Sequence, residues 1–501
     1  MSTLDSIYEK LIAGGLLLSI SAILAQALGF VHNIVFAQVL SATAFGQLTI
    51  ALTIVSVLGT ILQFGLGSAT RRYLNEYLET NQSERAFGTI LFCITVPTLL
   101  ALIFGLGLYF GAPYVSINLF NDPELEPVIR AGALLLLSKP ILDILASSFQ
   151  GYERFGTSVI VGALGQNFVK FVGALAVAVV GLSVSEVLSA MAGLSIVIAI
   201  GGVALIFSEI QPSTFRSVDI PTARLLTFSL PLFLSTFAGR LLSSADYFLI
   251  GGLLSTEAVG QYRPAFLIAS VIPIGFRAFN QAMYPTAVSL LSNDDRSAFV
   301  NLLQTIMFWS FALTIPIFLW TVLFATEILL VFFGPAYQTG ATALVILAVA
   351  MLVDVILGPV GALLELLEHT NVVLVSYIIA GTVNIVLNLL LIPRYLIVGA
   401  AVATAVSLIL LNSIQYFAVR SHIRLSRDYS RWFRSLGIAT FLVTPFLLLS
   451  LPPLVAVVLS IPYFLVTFAL TVWVIPLMPR EEQLLSTFRS KIIAVFKNER
   501  L

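Results

Sequence analysis

The feature that most constrains this chain is a succession of apolar runs, each about as long as a bilayer is thick. A helix of roughly 20 apolar residues crosses the hydrocarbon core. Such runs lie at 11–39, 44–68, 87–111, 127–149, 158–180 and 186–208. The polar break "EIQPSTFRSVDIPTAR" follows, then runs at 225–252, 257–285, 300–323, 341–364, 372–393 and 397–419. The basic break "RSHIRLSRDYSRW" precedes a last pair at 433–451 and 453–476. In lipid every backbone N–H and C=O must be satisfied within the protein, which leaves helices or closed barrels. A barrel needs short alternating segments with polar inward faces, and the sequence has none. Only 10% of the 501 residues are charged and 59% are hydrophobic, with mean hydropathy +1.03, too few charges for a soluble surface of this size. The expected fold is an all-α polytopic membrane protein with about 14 transmembrane helices.

Orientation follows from the basic residues. If both termini lie in the cytoplasm, that side holds Lys10, Arg71, Arg72, Arg85, Arg154, Arg216, Arg224, Arg296, Arg420, Arg424, Arg427, Arg431 and Arg434, with Arg480, Arg489, Lys491, Lys497 and Arg500 in the tail. The opposite side is nearly free of them outside the spans, and its loop "NDPELEP" is acidic. This is the positive-inside pattern. Ala25-Gln26-Ala27 has the form of a signal-peptidase site, but the leader carries Asp5 and Glu9 against Lys10, so the segment reads as the first span.

A phrase occurs twice. "LSATAFGQLTIA" begins at Leu40 and "LSTEAVGQYRPA" at Leu254, 214 residues later, with six of twelve positions identical. The same shift lays the first span on the seventh and the second on the eighth. It pairs Gln26 with Arg240, His32 with Asp246, and Gln63 with Arg277. Two six-helix halves in one orientation form a parallel repeat about an axis along the membrane normal, an architecture of secondary transporters whose site lies between the halves. The expected organisation is an N-lobe at 1–208, a cytoplasmic linker at 209–224, a C-lobe at 225–420, and a helix pair with a basic tail at 421–501.

Charges within or at the ends of the spans mark the candidate site. Each costs about 2.5–3.5 kcal/mol at the centre of a helix on insertion scales, so they face the protein interior or a wet cavity. The basic set is Lys139, Lys170, Arg240, Arg263 and Arg277. Asp143, Asp246 and Asp354 are acidic, and Glu365 lies near an end. Lys139 and Asp143 are spaced to pair on one helix. Arg240, Ser243 and Ser244 form one polar stripe, and Arg277, Asn280 and Gln281 another. Together with Gln26, the basic residues and Asn280 and Gln281 are the candidate cavity liners. Asp246, His32, Asp143 and Asp354 are the candidate ion-coupling or gating residues. The cationic balance points to an anionic guest, and arginine's fork suits phosphate.

The stretch "DYFLIGGLLSTEAVGQYRPA", with Asp246, Gly251, Val259, Gly260 and Tyr262, resembles the multidrug/oligosaccharidyl-lipid/polysaccharide (MOP) exporter superfamily, in particular its oligosaccharide flippase branch. "MYPTAVSL", "GLGSATRRYLNEY" and "QGYERFG" extend the resemblance, which covers the chain to about Arg420. It implies a MATE-like fold and a flippase for a lipid-pyrophosphate-linked oligosaccharide in the cytoplasmic membrane. The implied mechanism is alternating access with a cationic cavity to which Arg240 and Arg277 contribute. Implied partners are the lipid-linked glycan, membrane lipids, and glycosyltransferases or a polymerase of the same pathway. No nucleic acid and no cofactor are expected, and a coupling H+ or Na+ is left open.

Three alternatives compete. A drug or cation antiporter of the same superfamily predicts acidic cavity residues and usually twelve spans. A lipid II-type flippase shares the pyrophosphate chemistry. A membrane-embedded polymerase or glycosyltransferase needs a sizeable outside loop with catalytic acids or a metal, which this chain lacks. There is no G-x-x-x-x-G-K-[ST] phosphate loop. Three scattered histidines and the single Cys93 give no metal-ligand spacing, and the sequon Asn81-Gln82-Ser83 falls in an expected cytoplasmic loop. The chain is therefore expected not to be an enzyme.

Overall fold

The computed structural model describes residues 3–209, 218–293, 295–423, 428–449 and 451–475, with side chains described from 17 onward except at 19, 282, 284 and 285. Arg216, Arg424, Arg427 and the tail residues Arg480, Arg489, Lys491, Lys497 and Arg500 lie outside the described residues, as does the Lys10 side chain. The described residues are helical throughout, without strands. In chain order the helices are α1 (Thr3–Val39), α2 (Ala42–Gln63), α3 (Leu66–Glu79), α4 (Ser83–Tyr114), α5 (Leu125–Gly151), α6 (Phe155–Val161), α7 (Ala163–Val180) and α8 (Val184–Ser208). After them come α9 (Thr222–Leu253), α10 (Thr256–Ala269), α11 (Ile274–Ser292), α12 (Arg296–Leu323), α13 (Ala325–Phe333), α14 (Ala341–Leu357) and α15 (Val360–Leu366). The last three are α16 (Thr370–His422), α17 (Tyr429–Leu447) and α18 (Pro453–Val474).

Each of the fourteen apolar runs overlaps helix among the described residues, several of them broken, as at 64–65, 162, 270–273 and 358–359. Ten helical segments among the described residues are long and apolar enough to cross a membrane. The 53-residue α16 counts once among them, although its path breaks at Leu396, whose φ of 53° and ψ of −137° are not helical. Gly399 closes that turn: a Cβ there would lie 2.4 Å from the Leu391 carbonyl oxygen. The run at 127–149 is not among the ten; it lies on α5, which carries Glu126, Arg130, Lys139 and Asp143. Yet α5 is the most enclosed of the early helices, packed by α2, α3, α4 and α8. Its charges pair along the helix itself, Arg130 with Glu126 at 2.9 Å and Lys139 with Asp143.

Local chemistry sets the ends. Ser41 caps α2 by accepting from the Ala44 N–H at 3.1 Å. Ser183 and Glu186 form a capping box on α8, and Asp295 caps α12. Phe64 and Gly65, at φ of 49° and 69°, turn the chain between α2 and α3. A Cβ at Gly65 would lie 2.6 Å from the Ser229 carbonyl oxygen, so the turn sits directly on α9.

The chain packs as two compact units. The first comprises 1–267, 332–343 and 373–407. Its core at the end bearing Arg71, Arg85 and Arg224 joins Tyr77, Phe87, Ile144, Phe149 and Ile206. Three ion pairs cross that end, Arg85–Asp219 at 2.7 Å, Arg154–Glu209 at 2.7 Å and Arg224–Glu76 at 2.9 Å. Among the described residues, the second unit comprises 268–331, 344–372 and those from 408 to 475. There Phe311 stacks on Trp432 with centroids 4.4 Å apart, and the Trp320 indole donates to the Ala456 carbonyl at 3.1 Å. Large apolar side chains such as Phe110, Val179, Phe441 and Trp473 stay exposed. In water such a surface would aggregate. In a bilayer it is the solvated face, and the chain is a multi-pass membrane protein.

The repeated phrase has a physical cause within the first unit. The first turns of α2 and α10 cross with their backbones touching. A Cβ on Gly46 would sit 1.8 Å from the Thr256 carbonyl oxygen, and one on Gly260 would sit 1.9 Å from that of Ala42. Ala42/Gly46 and Thr256/Gly260 are the same small-xxx-small motif used reciprocally. Asp122, from the acidic loop, holds both turns: its Oδ2 accepts from Gln47 Nε2 at 3.0 Å and Thr256 Oγ1 at 2.8 Å.

Candidate functional site

Two polar constellations lie inside the first unit. The first surrounds Asp246, which is 2% exposed on α9. Its Oδ2 accepts from Tyr262 Oη of α10 at 2.8 Å and from the Thr404 hydroxyl of α16. Its Oδ1 accepts from Asn388 Nδ2 at 2.9 Å and Asn384 Nδ2 at 3.4 Å, both on α16. Asn384 further donates to Thr404 at 3.3 Å, and Asn388 to the Asn384 side-chain oxygen at 3.1 Å. Every hydrogen-bond partner of this carboxylate is neutral. A buried charge costs a great deal unless it is compensated, and four donors from two other helices do that. The Asn388 side-chain oxygen is buried without a hydrogen-bond partner. Carboxylate, amide and hydroxyl oxygens are hard donors, so this cage has the chemistry to hold a proton or a small hard cation.

The second constellation is cationic. Lys170 of α7 lies within electrostatic reach of Lys139 of α5, Arg240 of α9 and Arg263 of α10, with Asp143 as the one attracting charge. Lys139 pairs with Asp143, as their spacing predicts, and Gln166 donates to the other carboxylate oxygen at 3.0 Å. Asp143 is thereby occupied, while Lys170, Arg240 and Arg263 remain in excess. Arg263 donates to the Tyr247 hydroxyl at 2.8 Å and lies 5.5 Å from that ring's centroid. His32 of α1, buried and close to Lys170 and Arg263, uses both ring nitrogens. Its Nδ1 meets the Leu28 carbonyl at 3.0 Å, and its Nε2 accepts from Asn33 at 3.0 Å. A neutral imidazole completes that arrangement.

Seven of the sequence-predicted residues thus gather in these two places: His32, Lys139, Asp143, Lys170, Arg240, Asp246 and Arg263. Gln26 is exposed on α1. The stripe of Arg240, Ser243 and Ser244 divides: Arg240 and Ser243 are exposed, whereas Ser244 is buried. Ser243 returns its hydroxyl to the Arg240 carbonyl at 3.0 Å. The second unit holds the others. Arg277 and Asp354 lie close enough to attract, and Asn412 hydrogen-bonds Asp354. Arg277 and Gln281 are exposed, and the buried Asn280 side-chain oxygen has no hydrogen-bond partner. Two of the three scattered histidines, His369 and His422, pack with tilted rings, centroids 4.3 Å apart. No group of three metal-ligating side chains occurs among the described residues.

Sequence reasoning missed Asn384, Asn388, Thr404 and Gln166. The asparagines carried a signal, two amides one helical turn apart inside the apolar run "TVNIVLNLLL". Nothing local tied them to Asp246.

Comparison with known proteins agrees with this architecture. The fold superposes on the "Lipid II flippase MurJ, inward closed conformation" with a TM-score of 0.71 at 16% identity, covering 91% of this chain and 98% of that one. It also superposes on the inward-facing structure of a multidrug resistance MATE family transporter of the MOP superfamily, with a TM-score of 0.62 at 16% identity, covering 79% and 94%. In sequence, the chain is 24% identical over 243 residues to the "Probable low-salt glycan biosynthesis flippase Agl15" of Haloferax volcanii, 48% of this chain and 50% of that protein. The match thus spans half the length of that relative. Residues 11–291, more than half of the chain, match the family model described as polysaccharide biosynthesis protein, and this multi-pass membrane protein with a MOP-type fold belongs to that family.

Proposed function

We propose that this protein is a flippase that carries a lipid-pyrophosphate-linked oligosaccharide across the cytoplasmic membrane for assembly of a surface polysaccharide or glycoprotein. The observation that carries the reading is the excess of cations around Lys170. Lysine and arginine from three other helices act on Lys170, and the one carboxylate within its reach is already paired. Bringing them together in a membrane protein is costly, and an anionic headgroup repays that cost through charge-assisted hydrogen bonds. Lys139, Lys170, Arg240 and Arg263, with Gln26, are the proposed headgroup contacts of the first unit, and Arg277, Asn280 and Gln281 those of the second. The lobes at 1–208 and 225–420 alternate access, with both termini cytoplasmic. Asp246 is the proposed coupling site for H+ or Na+, with His32, Asp143 and Asp354 as gating residues. Glycosyltransferases or a polymerase of the same pathway are proposed partners.

A lipid II-type substrate is a second reading, favoured by the superposition on MurJ. The cation excess disfavours a drug-cation antiporter. Deletion of the gene, with analysis of lipid-linked sugars in each leaflet, tests the proposal. The expected result is accumulation of the glycan lipid in the cytoplasmic leaflet. Unchanged glycan export with altered drug sensitivity overturns it.

A further inference from the structure

The two constellations are joined by two adjacent rungs. Asp246 and Tyr247 are neighbours on α9, and Tyr262 and Arg263 are neighbours on α10. Tyr262 donates to Asp246 at 2.8 Å, and Arg263 donates to Tyr247 at 2.8 Å, each across 16 positions of chain. One rung ends in the carboxylate cage and the other in the cation group. Between them Tyr247, Tyr262 and Phe266 contact one another with centroids 6.0–6.4 Å apart. Tyr247 and Tyr262 are buried, at 3% and 0% exposure. Packed aromatics have few alternative rotamers and pass displacement on rather than absorbing it.

We infer that Tyr247 is a positioning residue through which the occupant of the Asp246 cage sets the placement of the Arg263 guanidinium. The inference rests on the proposed function, in which Arg263 meets an anionic headgroup. The Tyr262 hydroxyl shares Oδ2 with Thr404. A proton or cation arriving at that oxygen competes with the Tyr262 bond. Tyr262 then shifts, and Arg263 shifts with it on the same turn of α10. Tyr247 limits where the guanidinium comes to rest, through its hydroxyl and through its ring. The link is reciprocal, as any binding linkage must be: a headgroup on Arg263 alters the affinity of the cage for its ion by the same factor.

The test uses the purified full-length protein in nanodiscs with farnesyl pyrophosphate as the probe. Affinity is measured with sodium or with choline as the cation, and at mildly acid and mildly alkaline pH. The unmodified protein is expected to change affinity by about fivefold or more with one of these two variables. Y247F keeps the ring and removes the hydroxyl. It is expected to bind the probe but to lose that dependence, as is Y262F, the second variant should Y247F be poorly folded. R263A is expected to lose most of the binding. Persistence of the full dependence in both tyrosine variants overturns the inference. An unmodified protein that binds the probe with no dependence on cation or pH also overturns it, and leaves the proposed function standing. An unmodified protein that binds no farnesyl pyrophosphate overturns both.

Discussion

His32 and Asp246 occupy the same position in the repeated halves, 214 residues apart, and both are buried, at 4% and 2% exposure. They live in opposite electrostatic worlds. His32 is satisfied by its own helix and sits beside Lys170 and Arg263. Asp246 is satisfied by α10 and α16, through neutral donors only. At the first turns of α2 and α10, by contrast, the halves remain alike: Gly46 and Gly260 make the same backbone approach to each other's helix. The repeat has kept its packing and diverged in its chemistry. Backbone contact leaves no room for a side chain, so those glycines cannot drift. A buried polar position tolerates any residue whose partners change with it.

The largest effect expected from breaking this comparison is at the shared turns. G46V or G260V places methyl groups where a carbonyl oxygen already lies within 2 Å of the Cβ site. Overpacking of even a side-chain core costs about 1–3 kcal/mol, and a backbone cannot rotate away. Neither variant is expected to yield monodisperse protein on size-exclusion chromatography, whereas G107A, in open space, is expected to behave as the unmodified protein does.

Next comes the cage. D246A strands the Tyr262, Thr404, Asn384 and Asn388 donors, each stranded group costing about 1–3 kcal/mol. D246N keeps the shape and one oxygen. The thermal midpoint of D246A is expected to fall well below that of D246N, with glycan export lost in both. Equal midpoints would mean that the cage is not held by these bonds.

Removal of a cation acts on the other member of the pair. R263A is expected to lower export by at least about tenfold, the worth of one charge-assisted hydrogen bond, with membrane abundance unchanged on immunoblots. H32N is expected to have a smaller effect, because an amide can serve the same two local partners. The smallest effect is expected for R85A. Its partnership with Asp219 is about half exposed on both sides, and such pairs contribute little. Its thermal midpoint and export should match the unmodified protein.

Much of the fold was legible because the bilayer imposes one rule on every span. The described residues are helical wherever the apolar runs fall, apart from breaks within several of them, and the Lys139–Asp143 pair forms where i, i+4 spacing placed it. The breaks were less legible. Leu396 at positive φ and the Phe64-Gly65 turn answer to contacts with distant carbonyls or to tight chain reversal. The intended polar stripe at Arg240 split because spacing of three and four residues does not specify which flank of the helix meets protein. The site was half legible: charges and the Asn384/Asn388 pair stand out in an apolar run, but nothing local names their partner, and Asn384, Asn388 and Thr404 lie 138–158 residues from the carboxylate they hold.

By itself, then, the sequence determined that the chain crosses a membrane as helices, that the turns opening α2 and α10 are duplicated, and which ionisable groups need shelter from lipid. Those are consequences of composition and period, which act residue by residue. Only the tertiary structure decided how the shelter is provided. It put Asp246 among neutral donors and crowded Lys170 with cations, because each outcome depends on which distant helices come to lie alongside.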